Sequence, residues 1–245
     1  ACFRCSRLLA GLVLIPVTLL PVLLLLVFFY LLPSGPGRMA LGGVLLWASM
    51  ALRDLLAHGW RVYRALSRGD LAGARVAVGM MVGRETTVLD ESGVVRATLE
   101  SLGENLSDSW VSALFWFGAG SLVGPVWGVG LALGVRTFNT LDAMVGYREE
   151  PFLLLGRPSA RGDDLLQFLP ARLTGLLLVG VSPVVGGSML QAWKVLVRDR
   201  LKHYSPNSAH GEAALAGALG VRLGGPTLYG SGWVDKPWLG EEGRE

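Results

Sequence analysis

The sequence predicts an all-α, polytopic integral membrane protein with about four hydrophobic spans plus amphipathic and interfacial helices. Of its 245 residues, 51% are hydrophobic and only 17% are charged, and the mean hydropathy is +0.48. An average soluble domain has about 25% charged residues, so this composition excludes a disordered chain and is a poor fit to an ordinary soluble enzyme. The net charge of +3 is spread along the chain and indicates no nucleic-acid partner. We expect one membrane-embedded domain over residues 1–245.

Two spans are predicted in the first quarter of the chain. Leu8 to Leu32 provides 25 positions without a charge, more than the roughly 20 apolar residues that a spanning helix needs. Met39 to Leu52 is short for a membrane-spanning helix, and a span there requires the helix to extend to Ala57. The Ser34–Gly37 turn between them suits a tight hairpin.

The region from His58 to Ser109 is polar and is predicted to lie outside the bilayer. It opens with an amphipathic segment that carries Trp60 and Tyr63. Asp70 then caps a helix that runs to about Met81, because a short side-chain acceptor at this position satisfies the first free N–H groups of a helix.

A third apolar stretch runs from Trp110 to Val135. Gly120, Gly124 and Gly128 lie four apart in it, which is the small-residue spacing that brings membrane helices close together. A dinucleotide-binding turn is disfavoured because no strand precedes these glycines. Gly124-Pro125 leaves two alternatives open, one kinked span or a re-entrant hairpin, and the side of the membrane that holds residues 136–172 depends on which is correct.

The last apolar stretches follow a second polar region. Leu173 to Val197 is a fourth apolar stretch and predicts a span, interrupted by Ser182-Pro183 and Gly186-Gly187. Ala213 to Leu223 predicts a helix too short to span, with Asn207 as its cap and Gly220 at its end.

The first of four polar clusters precedes Trp110. Glu100, Glu104 and Asp108 follow each other at intervals of four, which puts three carboxylates on one helical face. Like charges at this spacing repel, and a metal ion, another cation or an Arg partner would offset the repulsion. The alternative is a solvated face with Asp108 as the N-cap of the next helix.

The second cluster follows the third apolar stretch. Asn139 and Asp142 share a helical face at or below the membrane interface, where ionisable groups are costly and therefore indicate a functional site. An ion pair between Asp142 and Arg136 or Arg148 is the structural alternative.

The third and fourth clusters combine acids, arginines and glycines. Asp163 and Asp164 are flanked by Arg161 and Arg172, which is compatible with a magnesium–phosphate site, in which a few carboxylates share the ion with substrate oxygens. Asp163 could equally cap a helix. Near the C-terminus, Ser205-Pro206-Asn207 is followed by a Gly-rich run around Arg222, which is typical of an anion site or of a surface turn.

Taken in order, these motifs resemble the membrane-protein family of cobalamin biosynthesis called CbiB or CobD, adenosylcobinamide-phosphate synthase, over about residues 79–240. The similarity rests on Val82-Gly83-Arg84-Glu85-Thr86, Glu100-Ser101 with Glu104-Asn105, Asn139-Thr140-Leu141-Asp142, Asp163-Asp164, Pro170-Ala171-Arg172-Leu173-Thr174, Ser205-Pro206-Asn207 and Gly220-Val221-Arg222-Leu223-Gly224-Gly225-Pro226. The sequence departs from the family pattern at Ser109, Ala113 and Gln167. The family's N-terminal Gly-Asp-Pro and His-Pro stretch is not found, so we expect a truncated or divergent start.

The resemblance implies a ligase that joins adenosylcobyric acid to aminopropanol or aminopropanol phosphate, with ATP and Mg²⁺, in the inner (plasma) membrane. The implied partners are these substrates, the lipid bilayer and other corrinoid-pathway enzymes. We expect catalytic roles for Glu104, Asp142 and Asp164, binding of substrate or phosphate by Arg84, Asn105, Asn139, Arg148, Arg161, Arg172, Asn207 and Arg222, and metal binding by Glu100, Glu104, Asp108 and Asp163.

Two other functions remain open from the sequence. One is a noncatalytic membrane sensor or regulator of the AmpE-like kind, which should lack the full set of acids and arginines. The other is a corrinoid transporter, to which intramembrane acids and broken helices are also suited.

Overall fold

The structure is a computed structural model and describes residues 2–146, 152–230 and 232–241. Helices dominate it, so the predicted all-α membrane fold is confirmed. Within the described residues, three segments are long and apolar enough to cross a membrane: Ser6–Leu31, Pro36–Leu66 and Phe168–Val185. The prediction of about four spans therefore exceeds the number found by one.

The chain divides into two compact units, each described here by itself. Unit 1 comprises Ala1–Ala51 and Asp108–Pro170, and unit 2 comprises Leu52–Ser107 and Ala171–Glu245. The single membrane-embedded domain remains a prediction.

Unit 1 is built from helices. They are α1 (Cys2–Leu31), α2 (Pro36–Ser49), α6 (Ser112–Ser121), α7 (Pro125–Val145), α8 (Phe152–Leu155) and α9 (Arg157–Leu166), and a π-helical turn, Leu106–Val111, precedes α6. The predicted hairpin after the first span is present. Pro36 opens α2, and the buried ring of Phe29 lies where a side chain on Gly42 would be, so α1 and α2 pack closely.

The third apolar stretch forms a helical hairpin rather than one span. Helices α6 and α7 are separated by a turn at residues 122–124, with Pro125 at the start of α7. A side chain on Gly120 would collide with the backbone of Trp127, and one on Gly128 would lie 2.9 Å from the Phe117 carbonyl oxygen. These glycines therefore allow the two helices to pack, as their spacing predicts.

Unit 2 holds α3 (Leu52–Leu66), α4 (Leu71–Gly79), α5 (Glu91–Asn105), α10 (Phe168–Val181, whose first turn belongs to unit 1), α11 (Met189–Asp199) and α12 (Ser208–Leu219). As predicted, Asp70 caps α4, accepting a hydrogen bond from the Gly73 N–H at 2.8 Å. The fourth apolar stretch is interrupted where the sequence predicts: a 3₁₀ turn, Ser182–Val185, and a break at residues 186–188 separate α10 from α11. Its first part belongs to the candidate span Phe168–Val185.

The end of the chain folds into short strands that the sequence does not predict. Strands β1 (Leu223–Gly224) and β4 (Trp238–Leu239) pair antiparallel, as do β2 (Thr227–Tyr229) and β3 (Gly232–Val234). Leu223 and Leu239 are fully buried against the alanine-rich helix α12.

Three predicted helix caps need correction. Asp108 lies inside the π-helical turn and Asp163 inside α9, so neither begins a helix. Helix α12 lies between Asn207 at its N-cap and Gly220 at its C-cap, the two positions that the sequence predicts, but the Asn207 side chain makes no capping bond. The Asn207 side chain instead accepts a hydrogen bond from Arg172 at 3.3 Å.

Candidate functional site

Helices α5 and α12 approach closely enough to place acidic side chains on one cavity of unit 2. A side chain on Gly211 would lie 2.7 Å from the Gly103 carbonyl oxygen, and one on Gly103 would lie 3.5 Å from the Glu212 backbone. Both glycines are buried. The contact brings Glu212 of α12 beside the face of α5 that carries Glu100 and Glu104.

This cavity has a volume of about 150 Å³ and a polar lining, and we call it the Glu212 cavity. Its charged and titratable lining residues are Arg84, Glu100, Glu104, His203, Glu212, Tyr229 and Lys236. Four residues that the sequence predicts as functional, Arg84, Glu100, Glu104 and Asn105, therefore lie together. Glu104 is exposed, whereas Glu100 and Glu212 are each 4% exposed.

Glu100 is a fixed carboxylate rather than a free one. Its Oε2 atom forms a nearly buried ion pair with Arg84, and its Oε1 atom accepts a hydrogen bond from the Gly224 N–H at 2.6 Å. The sequence predicts that an Arg partner is one way to offset the repulsion among the carboxylates of α5, and Arg84 is such a partner for Glu100. The ion pair orients Arg84 at the cavity, and the ion pair and the Gly224 hydrogen bond together occupy both oxygens of Glu100.

Glu212 is a buried acid whose pKa is raised. Burial raises its pKa well above the ordinary value, and the charges of Glu104 and Glu100 raise the pKa further, while Lys236 and Arg84 act in the opposite direction. Below that raised pKa Glu212 holds its proton, and the exposed Glu104 is then the better proton acceptor of the two. His203 lies 3.6 Å from Glu212, and burial and the charge of Lys236 lower the pKa of the imidazole.

A second polar cluster lies within unit 1, and it joins residues of two separate sequence motifs. Asp163 of α9 is 8% exposed and interacts with Asn139 and Asp142 of α7 and with Asp164. Burial raises the pKa of Asp163 to about 7; Asp142 and Asp164 contribute to the rise, and hydrogen bonds with Gln167 and Asn139 oppose it. Arg136 donates to Asn139 at 3.0 Å, so the predicted helical face of Asn139 and Asp142 is confirmed as a contact surface for α9.

The acids of unit 1 fit a magnesium ion only in one mode of binding. The Oδ1 atom of Asp163 is buried without a hydrogen-bond partner, which leaves a hard oxygen ligand available. Within the described parts of the chain, no three acidic, His or Cys side chains are arranged to hold a metal by themselves. Mg²⁺ is often bound by one or two carboxylates together with substrate phosphates, and Asp163 and Asp142 suit that arrangement.

The remaining predicted residues are dispersed. The backbone carbonyl of Asp108 accepts a hydrogen bond from the Gln167 side-chain amide at 3.4 Å. Because Asp108 lies in a π-helical turn, it does not continue the α-helical face on which Glu104 lies. Arg161 is exposed on α9. Arg222 stacks on Trp238 with 4.1 Å between its guanidinium carbon and the ring centre. Arg148 lies outside the described residues.

Three functional candidates, Glu212, His203 and Lys236, are absent from the sequence-based set. Glu212 follows the Ser205-Pro206-Asn207 motif inside a run of Gly and Ala. An acid within a run of small residues is a signal for a buried carboxylate on a closely packed helix, because small residues mark the packing face. No comparable signal distinguishes His203 or Lys236, whose positions depend on the folding of the C-terminal segment.

The comparison with known proteins decides the family. The family model described as CobD/Cbib protein matches residues 3–245. The chain belongs to the CobD/Cbib family. The match extends beyond residues 79–240, over which the motifs resemble the family, and includes the N-terminal apolar segment. No solved structure matches this CobD/Cbib chain.

Curated relatives give the same assignment. The chain is 43% identical over 231 residues to the cobalamin biosynthesis protein CobD of Desulfotalea psychrophila, covering 90% of this chain and 70% of that protein. It is 45% identical to the CobD of Rhodobacter capsulatus, covering 85% of this chain and 63% of the relative. It is 38% identical to the CobD of Clostridium acetobutylicum, covering 82% of this chain and 61% of that relative. The chain thus spans roughly two thirds of the length of these CobD proteins.

Proposed function

We propose that this protein acts in cobalamin biosynthesis as an ATP-dependent amide-forming ligase, adenosylcobinamide-phosphate synthase. The substrates would be adenosylcobyric acid and aminopropanol or its phosphate, and the site would belong to a multi-pass protein of the inner membrane. The observation that carries the proposal is the Glu212 cavity, where an exposed carboxylate, a buried carboxyl of raised pKa and two cations face one space. The family membership supports a role in cobalamin biosynthesis, and the reaction class is the one that the resemblance of the motifs implies.

The cavity offers what an amide ligation demands. An alkyl amine is protonated at neutral pH, so it enters as a cation and must lose a proton before its nitrogen can form the new bond. Glu104 would bind the ammonium group and accept that proton. Glu212, when protonated, would donate a hydrogen bond to a substrate oxygen. Because it would then carry no negative charge, it would not repel the lone pair of the attacking amine nitrogen.

The cations would handle the acidic partner. Arg84, held in place by Glu100, and Lys236 would bind a carboxylate or a phosphoryl group and stabilise the negative charge that builds up during transfer. ATP, when bound, would supply the phosphoryl group that turns an unreactive carboxylate into an electrophile. Within unit 1, Asp163 and Asp142 would hold a Mg²⁺ ion.

The test is an assay of ATP-dependent amide formation by the membrane-embedded protein, with adenosylcobyric acid and both forms of the amine. Amide product and ADP should appear together, and both should disappear when ATP or the amine is omitted. Corrinoid accumulation in vesicles without an amide product would identify a transporter. Binding without either outcome would identify a regulator.

A further inference from the structure

A second cavity of unit 2 differs in chemistry from the Glu212 cavity. It has a volume of about 390 Å³ and is lined by residues of α10, α11, α12 and the segment after α11. Arg172, Arg200 and His210 supply its polar part, and Leu176, Trp193 and Leu201 belong to its apolar part. We call it the Arg200 cavity.

The polar part of the Arg200 cavity is suited to an anion. None of its described lining residues is acidic, and both Arg172 and Arg200 act electrostatically on His210. His210 is 3% exposed, and its Nδ1 atom is buried without a hydrogen-bond partner. Arg172 is held by Asn207 at 3.3 Å. An anionic group would neutralise the two guanidinium groups and could bond to the unpaired imidazole nitrogen.

The apolar part continues along one face of α11. Met189, Trp193, Val197 and Leu201 follow each other at intervals of four, and each is between 44% and 65% exposed. Other residues of α11, Ala192, Val195 and Leu196, are buried, and Leu196 also lines the cavity. A Trp in an exposed apolar stripe near basic side chains is typical of a helix that lies at the membrane interface. Arg172 itself lies near the start of the membrane-spanning segment Phe168–Val185.

We propose that the Arg200 cavity binds the headgroup of an anionic phospholipid, with its acyl chains along the exposed stripe of α11. The paired guanidinium groups select a phosphate that has no positive charge beside it. The phosphate of phosphatidylglycerol meets this condition, whereas that of phosphatidylcholine lies next to a quaternary ammonium group. A soluble anion would satisfy the arginines and leave the Met189–Leu201 stripe uncovered. A lipid satisfies both parts at once.

The test uses the purified full chain in neutral detergent and follows its unfolding temperature as lipid is added. Phosphatidylglycerol, phosphatidylcholine and inorganic phosphate are titrated separately. Arg200→Gln removes one guanidinium at the cavity, and Leu201→Glu puts a negative charge at its exposed edge. Lys194→Gln removes an exposed positive charge of α11 that does not line the cavity, so it is the matched control.

Phosphatidylglycerol should raise the unfolding temperature, and phosphatidylcholine and phosphate should not. Arg200→Gln should raise the half-saturating phosphatidylglycerol concentration about tenfold, the loss expected for a charge-assisted bond. Leu201→Glu should also raise it, because its carboxylate repels the anionic headgroup, and Lys194→Gln should change it less than about twofold. An equal response to phosphate would make this a soluble-anion site and overturn the proposal. Equal responses to both lipids, or wild-type binding by both cavity variants, would overturn it as well.

Discussion

Glu100 of helix α5 accepts a hydrogen bond from the backbone N–H of Gly224, 124 residues later in the chain, at 2.6 Å. Gly224 can present its N–H in this direction because its φ of 82° lies in the left-handed region. Since the same carboxylate binds Arg84, this contact links the C-terminal strands to the charge distribution of the Glu212 cavity.

Gly224→Ala should therefore destabilise unit 2 and disturb the cavity. A side chain there is strained at positive φ, which costs about 1–2 kcal/mol, and it would collide with the carbonyl oxygen of Pro237. We expect the unfolding temperature to fall by at least about 2–4 °C. Gly230→Ala, where φ is not positive and no atom lies within 4 Å, is the control. Equal effects of the two changes would contradict the role of Gly224.

Glu104→Gln should lower the rate of amide formation by at least about 100-fold, the usual effect of losing an acid–base group. If Glu104 is the base, higher pH should partly restore the rate, because more amine then arrives deprotonated. If Glu104 binds metal, additional Mg²⁺ should restore it instead. Glu91→Gln, an exposed acid of the same helix outside the cavity, should keep the wild-type rate. Full activity of Glu104→Gln at neutral pH and limiting Mg²⁺ would remove both roles.

Asp142→Asn and Asp164→Asn should each abolish amide formation while the protein still inserts into membranes. Each change removes a charge next to Asp163 and keeps the side-chain volume, so packing within unit 1 should be preserved. Carbonate-resistant membrane association and turnover are the two measurements. Asp54→Asn, at an exposed acid of α3, should leave both unchanged. Near-normal turnover of the two unit 1 variants would reduce these acids to structural roles.

Glu212→Gln should change how stability depends on pH. Because the pKa of Glu212 is raised in the folded protein, the wild type loses stability as pH rises above the ordinary Glu range, where unfolding releases the carboxyl to ionise. The Gln variant lacks this loss, so its unfolding temperature relative to wild type should increase from pH 5 to 9. Glu91→Gln should follow the wild-type curve. Parallel curves for wild type and Glu212→Gln would show that Glu212 is ionised when folded.

Asp199 predicts the opposite dependence on pH. Burial alone would raise its pKa, but hydrogen bonds from Arg198, Lys202 and the Gly240 N–H lower the pKa to about 2. Its stabilising effect is present above the unfolded value near 4 and is lost as pH falls toward 2. Asp199→Asn should lower the free energy of unfolding by about 2 kcal/mol at neutral pH, and the difference should shrink in acid.

The control for this prediction is the exposed partner of the same arginine. Glu241 lies 3.3 Å from Arg198 and its side chain is 61% exposed, so Glu241→Gln should change stability by less than about 1 kcal/mol. A constant difference between wild type and Asp199→Asn from neutral pH to pH 3 would contradict the lowered pKa.

The sequence by itself determined the membrane class, the helical content, the caps that are local, and most of the charged candidates. Long uncharged runs exclude water whatever the fold, and Asp70 bonds to an N–H only three residues away. The order of the polar motifs also sufficed to indicate the family, because each motif is a contiguous string.

Only the tertiary structure decided which candidates share a site. The contact between Glu100 and Gly224 depends on where the C-terminal strands fold, and the contact between Asp142 and Asp163 depends on how α7 and α9 pack. Periodicity carries no information on such pairs. The π-helical turn that removes Asp108 from the face of Glu104, and the hairpin at Gly124-Pro125, are also outcomes of packing. Glu212 became a candidate only through burial beside two other acids, since a carboxyl's pKa depends on its surroundings rather than on its neighbours in sequence.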